Sequence, residues 1–300
     1  MKYTKQSLTY EQQADLVLSR GLAADRQLLI ERLQAVGYYR LSAYWHPFKQ
    51  PDDSFAPGTT LNTVWQRYTF DRQLRLMVMD AIERVEVALR SALVNGLTLR
   101  FGPFAHLDPR AFPGINPDDH RRLLDDLRDG AQRSSEVFVE HFKRIYDDFP
   151  DLPLWAAAEI MTFGNMFTLF RISGKHTQKT LAQPYGVTGK VLFSWLLTLN
   201  YVRNLCAHHA RLWNRELALK PLIPDAKHDP RWYGESLVGN NRIFAILTIL
   251  HFLLRHIAPQ SGWRDRLFGL FDRYPAIPLA PMGMPADWRN HDLWKQVKWR

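Results

Sequence analysis

The sequence predicts an all-α protein built as a helical bundle. Long segments carry apolar residues at a spacing of about 3.6 residues, which places them on one face of a helix. The alternating apolar and polar runs that mark half-buried strands are not found. Hydrophobic residues make up 46% of the chain, which is enough to fill a substantial core, so a disordered chain is excluded.

The N-terminal segment, residues 1–60, is predicted to be largely helical. Helical spacing over Tyr10–Arg20 and Asp25–Val36 indicates two helices. The aromatic-rich stretch Gly37–Phe48 is predicted to pack as a short helix or turn. Prolines and a glycine make the next stretch, Gln50–Thr60, a loop that leads into the rest of the chain.

Residues 61–258 are predicted to form the bundle itself. Its first helix is long, over Asn62–Leu99, and is either continuous or broken once near Asp71. Proline and glycine residues then separate the remaining helical stretches. These stretches are Asp118–Asp148, Leu154–Ile172, Thr177–Tyr185, a buried helix capped by Thr188, and Asn241–Ala258.

The C-terminal tail, residues 259–300, is rich first in proline and then in basic and aromatic residues. Cations interleaved with aromatic rings suit the phosphate and stacking contacts of single-stranded RNA. We therefore expect Trp294, Lys295 and Lys298 to bind RNA. The alternative is a tail that packs its tryptophans against the body of the protein.

Charge and cysteine content narrow the function classes. The net charge of +9 favours an anionic partner, nucleic acid first and an anionic membrane surface second, with a basic protein lacking any such partner as the alternative. Cys206 is the single cysteine, so an internal disulfide and a cysteine-based zinc site are excluded. The N-terminus lacks the apolar core of a signal peptide, and the apolar run Ile243–Leu254 is too short to span a bilayer. We expect a cytoplasmic protein that does not associate with membranes.

The most unusual stretch is Tyr201–Arg215, in which polar residues cluster at the end of an apolar helix. Burying several unpaired cations would cost far too much free energy, so this helix end should open onto a polar cleft or a partner. We expect Arg215 to contribute to RNA binding there. The clustered residues are Arg203, Asn204, His208, His209, Arg211, Asn214 and Arg215.

Three of these residues have the types needed for metal-free RNA cleavage. Histidine transfers protons near neutral pH, arginine matches a phosphate and its developing charge, and asparagine could orient the imidazole. Asn204 and His208 share a helix face, whereas Arg203 lies about 140° round the helix from His208. Arg203 must therefore swing its side chain across the site or act in a site shared with a second subunit. Metal binding by His208 and His209 is the weaker alternative, because adjacent helical residues diverge.

A second polar group lies on the long central helix. Glu83, Glu86 and Arg90 are three and four residues apart and so share one face. They form either an ordinary ion pair, which contributes little to stability, or the support of a polar site.

Several motifs in a fixed order give the chain a resemblance to the Abi family of bacterial abortive-infection proteins, the AbiD/AbiF-like group. The most specific motif is RNLCAHHARLWNR, at Arg203–Arg215. The resemblance extends over most of the chain as far as Ala258. The other motifs are LVLSRGL (Leu16–Leu22), GYYRLSAYWHPF (Gly37–Phe48), FDRQLR (Phe70–Arg75), IERVEVALR (Ile82–Arg90) and the Gly-Asn of MTFGN (Met161–Asn165).

The resemblance implies a core similar to HEPN domains, which are helical bundles whose R-x-x-x-x-H helix forms an RNase site. It also implies a homodimer, because two such motifs usually meet at a dimer interface and form a composite site. The residues carried over are Arg203, Asn204 and His208 as catalytic residues, and Glu86, Arg90, His209 and Arg211 as supporting residues.

The expected function is therefore a metal-independent endoribonuclease, without a cofactor, that acts in phage defence or as a toxin. Its products would carry 2′,3′-cyclic phosphate and 5′-hydroxyl ends. One alternative is an RNA-binding or interaction module without turnover, partnered by a small RNA in a defence or toxin–antitoxin system. Another is a structural protein whose polar cluster only cements a dimer.

Overall fold

The architecture is all-helical, as the sequence predicts. A computed structural model describes residues 2, 4, 6–233 and 238–295, and within them the chain forms twelve α-helices joined by loops and short 3-10 turns. No strand forms in this part of the chain, which holds only isolated bridges from Ala23 to Thr60 and from Lys49 to Phe55. The helices are α1 (Tyr10–Ser19), α2 (Arg26–Val36), α3 (Tyr38–Trp45), α4 (Leu61–Phe101), α5 (Pro117–Arg133), α6 (Val137–Ile145), α7 (Leu154–Ile160), α8 (Phe163–Ile172), α9 (Lys175–Ala182), α10 (Gly189–Ala207), α11 (Ile243–Ile257) and α12 (Trp263–Arg273).

The chain divides into two compact units, and one boundary between them falls inside α4. The first unit comprises Met1–Leu76 with Asp265–Pro278, and the second comprises Met77–Arg264 with Leu279–Arg300. The sequence predicts boundaries after residues 60 and 258. The compact units are separated at other positions, and the predicted division remains a prediction.

Side-chain caps set the helix boundaries of the first unit. Thr9 accepts a hydrogen bond from the Gln12 N–H at 3.3 Å, and the Gln12 side chain accepts one from the Thr9 N–H at 2.9 Å. Asp25 caps α2 by accepting from the Leu28 N–H at 2.8 Å. Gly37 ends α2 with φ of +78°, a conformation that glycine adopts without steric cost. Both predicted N-terminal helices are confirmed.

The core of the second unit is built around α10 and α11. Most side chains of α11 are buried, and both α8 and α9 pack against α10. Among the described residues, no helix has the length and apolar character needed to cross a bilayer. Large side chains that are fully buried in this unit include Phe163, Phe170, Trp195, Trp213, Trp232 and Phe244.

The helical region predicted over Leu154–Ile172 consists of two helices. Thr162 begins α8 with a capping box, because its Oγ1 accepts from the Asn165 N–H and its own N–H donates to Asn165 Oδ1, both at 3.1 Å. A β-carbon at Gly164 would meet the Thr162 hydroxyl at an ordinary 3.6 Å. The MTFGN segment is therefore a helix start, and its glycine is not required for close helix packing.

In the C-terminal tail, Trp294 is buried, which bears on its predicted contact with RNA. Trp294 is 0% exposed, its Nε1 donates to Thr248 Oγ1 at 3.1 Å, and its ring stacks on His251 with a centroid separation of 4.6 Å. A ring enclosed on both faces cannot stack on a base, so the predicted RNA contact at Trp294 is replaced by the alternative of a docked tryptophan. Lys295 is exposed and paired with a neighbouring carboxylate at 2.9 Å, and Lys298 lies outside the described residues.

Candidate functional site

Helix α10 carries the predicted site to its C-terminal end. Thr188 caps its start by accepting from the Val191 N–H at 3.2 Å, as predicted. Core packing then fixes the rotation of the helix, and with it the direction in which the polar end faces. The buried side chains of α10 are Val191, Leu192, Trp195, Leu196, Thr198, Leu199, Val202 and Cys206.

The helix ends in a Schellman motif that is built on a histidine. His208 is the C-cap, and the N–H groups of His209 and Ala210 donate back to the carbonyls of Cys206 and Leu205 at 2.9 and 2.8 Å. His209 has φ of +57°, a conformation that usually selects glycine and costs another residue roughly 1–2 kcal/mol. In this histidine pair the strain is confined to His209, because the C-cap His208 has φ of −85°.

The three predicted catalytic residues leave the helix end in different directions. Asn204 and His208 are both exposed, and the His208 N–H donates to the Asn204 carbonyl at 3.0 Å, one helical turn back. Arg203 is half-buried, and its Nη1 donates to Asn204 Oδ1 at 3.4 Å. The structure therefore joins Arg203 to Asn204 and leaves His208 at the exposed C-cap.

An ion pair on α4 lies within electrostatic reach of Arg203. Glu86 accepts a hydrogen bond from the Arg90 guanidinium, whose Nη2 also donates to the carbonyl of Met161 at 3.1 Å. Burial raises the pKa of Glu86, and the positive charges of Arg90 and Arg203 act in the opposite direction. This arrangement favours the support of a polar site over an ordinary surface ion pair.

The loop after α10 is organised by its own arginines. Arg215 Nε donates to the carbonyl of Arg211 at 2.6 Å, and Arg211 Nη2 donates to the carbonyl of Asn214 at 3.4 Å. Asn214 has φ of +53°, which asparagine tolerates better than most residues. Arg211 thus helps to shape the loop, and Arg215 is half-buried with one nitrogen committed to the backbone.

Two features of this region escaped sequence reasoning. The acceptor carbonyl of Met161 comes from a chain segment remote from α4, so the sequence carries no signal for that bond. The left-handed conformation of His209 also escaped, because only glycine or asparagine at that position would have predicted it. Among the described residues, no group of three His, Cys, Asp or Glu side chains lies close enough to hold a metal ion.

A comparison with known protein families identifies the family of the chain. The model of a family described as Abi-like protein matches residues 31–214, a span that includes Glu86, Arg90 and the whole of α10. No curated protein and no solved structure matches the chain. Because the family model covers more than half of its length, the chain belongs to the Abi-like protein family, and this membership supports a role in abortive-infection defence against phage.

Proposed function

We propose that this Abi-like protein defends by cleaving RNA, as a metal-independent endoribonuclease with a HEPN-type site at the end of α10. The observation that carries the proposal is the presence of Arg203, Asn204 and His208 at one helix end, where Arg203 Nη1 donates to Asn204 Oδ1 and the charge of Arg203 acts on Glu86. The segment Tyr201–Arg215 contains no serine, and its single cysteine, Cys206, is buried. Proton transfer and phosphate binding are what the exposed groups supply.

The reaction is an attack by the RNA on itself. A neutral imidazole accepts the proton of the 2′-hydroxyl, and the 2′ oxygen forms a bond to the adjacent phosphorus. The bond from phosphorus to the 5′ oxygen breaks, and a protonated imidazole donates a proton to that leaving oxygen. Arg203 stabilises the negative charge that develops on the phosphate oxygens. The products carry a 2′,3′-cyclic phosphate and a 5′-hydroxyl.

A homodimer would supply both imidazoles. Arg203 and His208 diverge by about 140° round α10, so one chain directs only part of the set toward a given phosphate. An isologous contact between two copies at this helix end would bring His208 of each copy to the same RNA. One histidine would then act as the base while the other acts as the acid.

The test is cleavage of RNA by purified His208→Ala and Arg203→Ala variants in the presence of a chelator. We expect each substitution to reduce cleavage by about 10²-fold or more, because each removes one proton-transfer or charge-stabilising group. The readout is the rate of appearance of 5′-hydroxyl ends and of 2′,3′-cyclic phosphates.

The matched control is His141→Ala, which removes another exposed histidine, on α6, whose Nδ1 lies 3.4 Å from Arg144 Nη2. This variant should cleave RNA as the wild type does. Equal cleavage by the His208 and His141 variants contradicts the proposed site. An RNA that co-purifies intact with wild type, without new ends, would instead identify a protein that binds RNA without turnover.

A further inference from the structure

A basic groove lies at the N-terminal end of α10, at the opposite end of the helix from the proposed catalytic site. It encloses about 680 Å³ between α9 and the start of α10. Its lining includes three lysines, Lys175 and Lys179 from α9 and Lys190 from the first turn of α10. Phe193 and Val187 supply an apolar part of the same lining.

The groove depends on a close approach of two backbones. A β-carbon added at Gly189 would lie 3.2 Å from Gln178 Cβ and 3.3 Å from both the carbonyl carbon and the carbonyl oxygen of Gln178. Those contacts are tighter than ordinary packing and two of them involve rigid backbone atoms, so glycine is favoured here. Gly189 thus lets α9 lie close against the start of α10 and brings its two lysines beside Lys190.

The three lysines are not neutralised. Within the described residues none of them forms an ion pair, although many other cations of the chain do. This difference is important because a nearby carboxylate cancels much of the positive electrostatic potential of a lysine. Here the lysines of α9 and α10 line one concave surface together, and concave surfaces focus such a field.

A second cavity of about 360 Å³ adjoins the groove, and the two share Gln183, Gly186 and His228. It adds arginine and histidine side chains, including Arg231. Its single carboxylate belongs to Asp229, which accepts two hydrogen bonds of 2.8 Å from the Arg231 guanidinium. The two cavities therefore adjoin, and basic side chains line both of them.

We propose that the groove between α9 and the start of α10 holds the backbone of single-stranded RNA. The scissile phosphate of the same RNA would lie at the other end of α10. The inference deepens the proposed ribonuclease function and rests on it. Lysines and an aromatic ring in the same groove match phosphates and bases, whereas a flat basic patch would suit a membrane surface. The ring of Phe193 is half-buried against Phe167, with centroids 5.2 Å apart, so at most one of its faces meets a base.

The two ends of α10 are about 27 Å apart at 1.5 Å per residue. A short RNA bound at the catalytic end would not reach the groove, whereas an RNA of about 20 nucleotides would. The groove therefore sets a length dependence: it should strengthen binding of long RNA and leave short RNA unaffected.

The experiment compares a groove variant, Lys175→Gln with Lys179→Gln and Lys190→Gln, with wild type in full-length protein. Binding of fluorescent single-stranded RNA of about 20 and about 4 nucleotides is measured across a salt series. We expect the long RNA to bind at least about tenfold more weakly to the groove variant, with a salt dependence shallower by about 2 in log–log slope. The short RNA should bind both proteins equally.

The control removes three exposed cations elsewhere, with Arg121→Gln, Arg122→Gln and Lys143→Gln on α5 and α6. It matches the change in net charge, although Arg121 and Arg122 lie 3.5 and 3.8 Å from aspartate oxygens. A loss for the control equal to that of the groove variant overturns the proposal, because only net charge would then matter. So does an unchanged affinity of the groove variant. Competition by polyglutamate as effective as competition by RNA also overturns it, since the groove would then be a general polyanion site.

Phe193→Leu keeps a large apolar side chain and removes the aromatic face. We expect it to weaken binding of long RNA while leaving polyglutamate binding unchanged, and equal effects on both would contradict base stacking. Binding and cleavage are read separately, so the two proposals fail separately. Groove-dependent RNA binding without cleavage by wild type contradicts only the ribonuclease, and normal cleavage of long RNA with unchanged binding by the groove variant contradicts only the groove.

Discussion

Two carboxylate–arginine pairs on α4 have the same four-residue spacing and differ in how far their side chains are exposed. The Asp71–Arg75 pair is buried, with side chains 0% and 7% exposed. The Glu86–Arg90 pair is more open, with side chains 16% and 15% exposed. Helical spacing makes both pairs geometrically equivalent, so their surroundings must account for the difference.

The buried pair is closed by a third group. Tyr44 Oη donates to Asp71 Oδ2 at 2.7 Å, Arg75 Nη1 donates to the same oxygen at 2.5 Å, and Arg75 Nη1 also lies 3.3 Å from Tyr44 Oη. Burial, together with the charge of Asp71, raises the pKa of Tyr44, so the phenol stays protonated as a donor. The triad of Tyr44, Asp71 and Arg75 therefore has the features of a group that stabilises the fold.

The open pair has a charged neighbour that belongs to another helix. The positive charge of Arg203 on α10 acts to lower the pKa of Glu86. Arg90 donates a hydrogen bond to the Met161 carbonyl at the end of α7. The comparison teaches that spacing predicts an ion pair, whereas burial and the third partner decide whether the pair stabilises the fold or positions a site.

The largest effect on stability is expected at the buried pair. Asp71→Asn removes the negative charge that the Arg75 guanidinium and the Tyr44 hydroxyl both contact. We expect the free energy of unfolding to fall by about 3 kcal/mol, as for other buried pairs that lose one partner. Chemical denaturation followed by circular dichroism measures it. A loss below about 1 kcal/mol would mean that the triad does not stabilise the fold more than an exposed ion pair does.

A smaller effect, on catalysis, is expected at the open pair. Glu86→Gln keeps a hydrogen-bond acceptor for Arg90 and removes the charge near Arg203. Under the proposed function, RNA cleavage should fall by about tenfold, a typical cost of loosening a positioned group. Glu86→Asp, which keeps the charge, should retain more activity than Glu86→Gln. Equal activity of the two variants would show that the charge of Glu86 does not position Arg203.

The same substitution has a distinct pH signature in stability. Because the pKa of Glu86 is raised above 4.5 in the folded protein, the folded state binds this proton more tightly than the unfolded state does. Ionised Glu86 therefore reduces stability as pH rises above 4.5 toward the raised pKa. The free energy of unfolding of Glu86→Gln, relative to wild type, should increase over that window.

The smallest effect is expected at a third pair on the same helix. Arg84 donates to Asp80 Oδ1 at 3.2 and 3.1 Å, and both side chains are at least 31% exposed. Asp80→Asn should lower the free energy of unfolding by less than about 1 kcal/mol, because solvent screens an exposed pair. This variant is the matched control for Asp71→Asn. A loss as large as that of Asp71→Asn would remove burial as the explanation of the difference.

Sequence patterns were sufficient where the interactions that form an element are local. The periodicity of α4 predicted helix over nearly its full length, either continuous or broken once near Asp71, and Thr188 identified the start of α10. Both patterns were readable because capping and helical spacing act within a few residues. The FDRQLR motif was visible in the same way, but its role was not. Tyr44 comes from α3, and nothing local to Asp71 indicates that partner.

The sequence by itself determined the all-α class, most helix positions and the residue types of the candidate site. Only the tertiary structure decided which side chains are open to a ligand. It buried Trp294 and raised the pKa of Glu86, because burial depends on neighbours remote in the chain. It also set Lys175, Lys179 and Lys190 along one groove, because the absence of a β-carbon at Gly189 allows two backbones to meet.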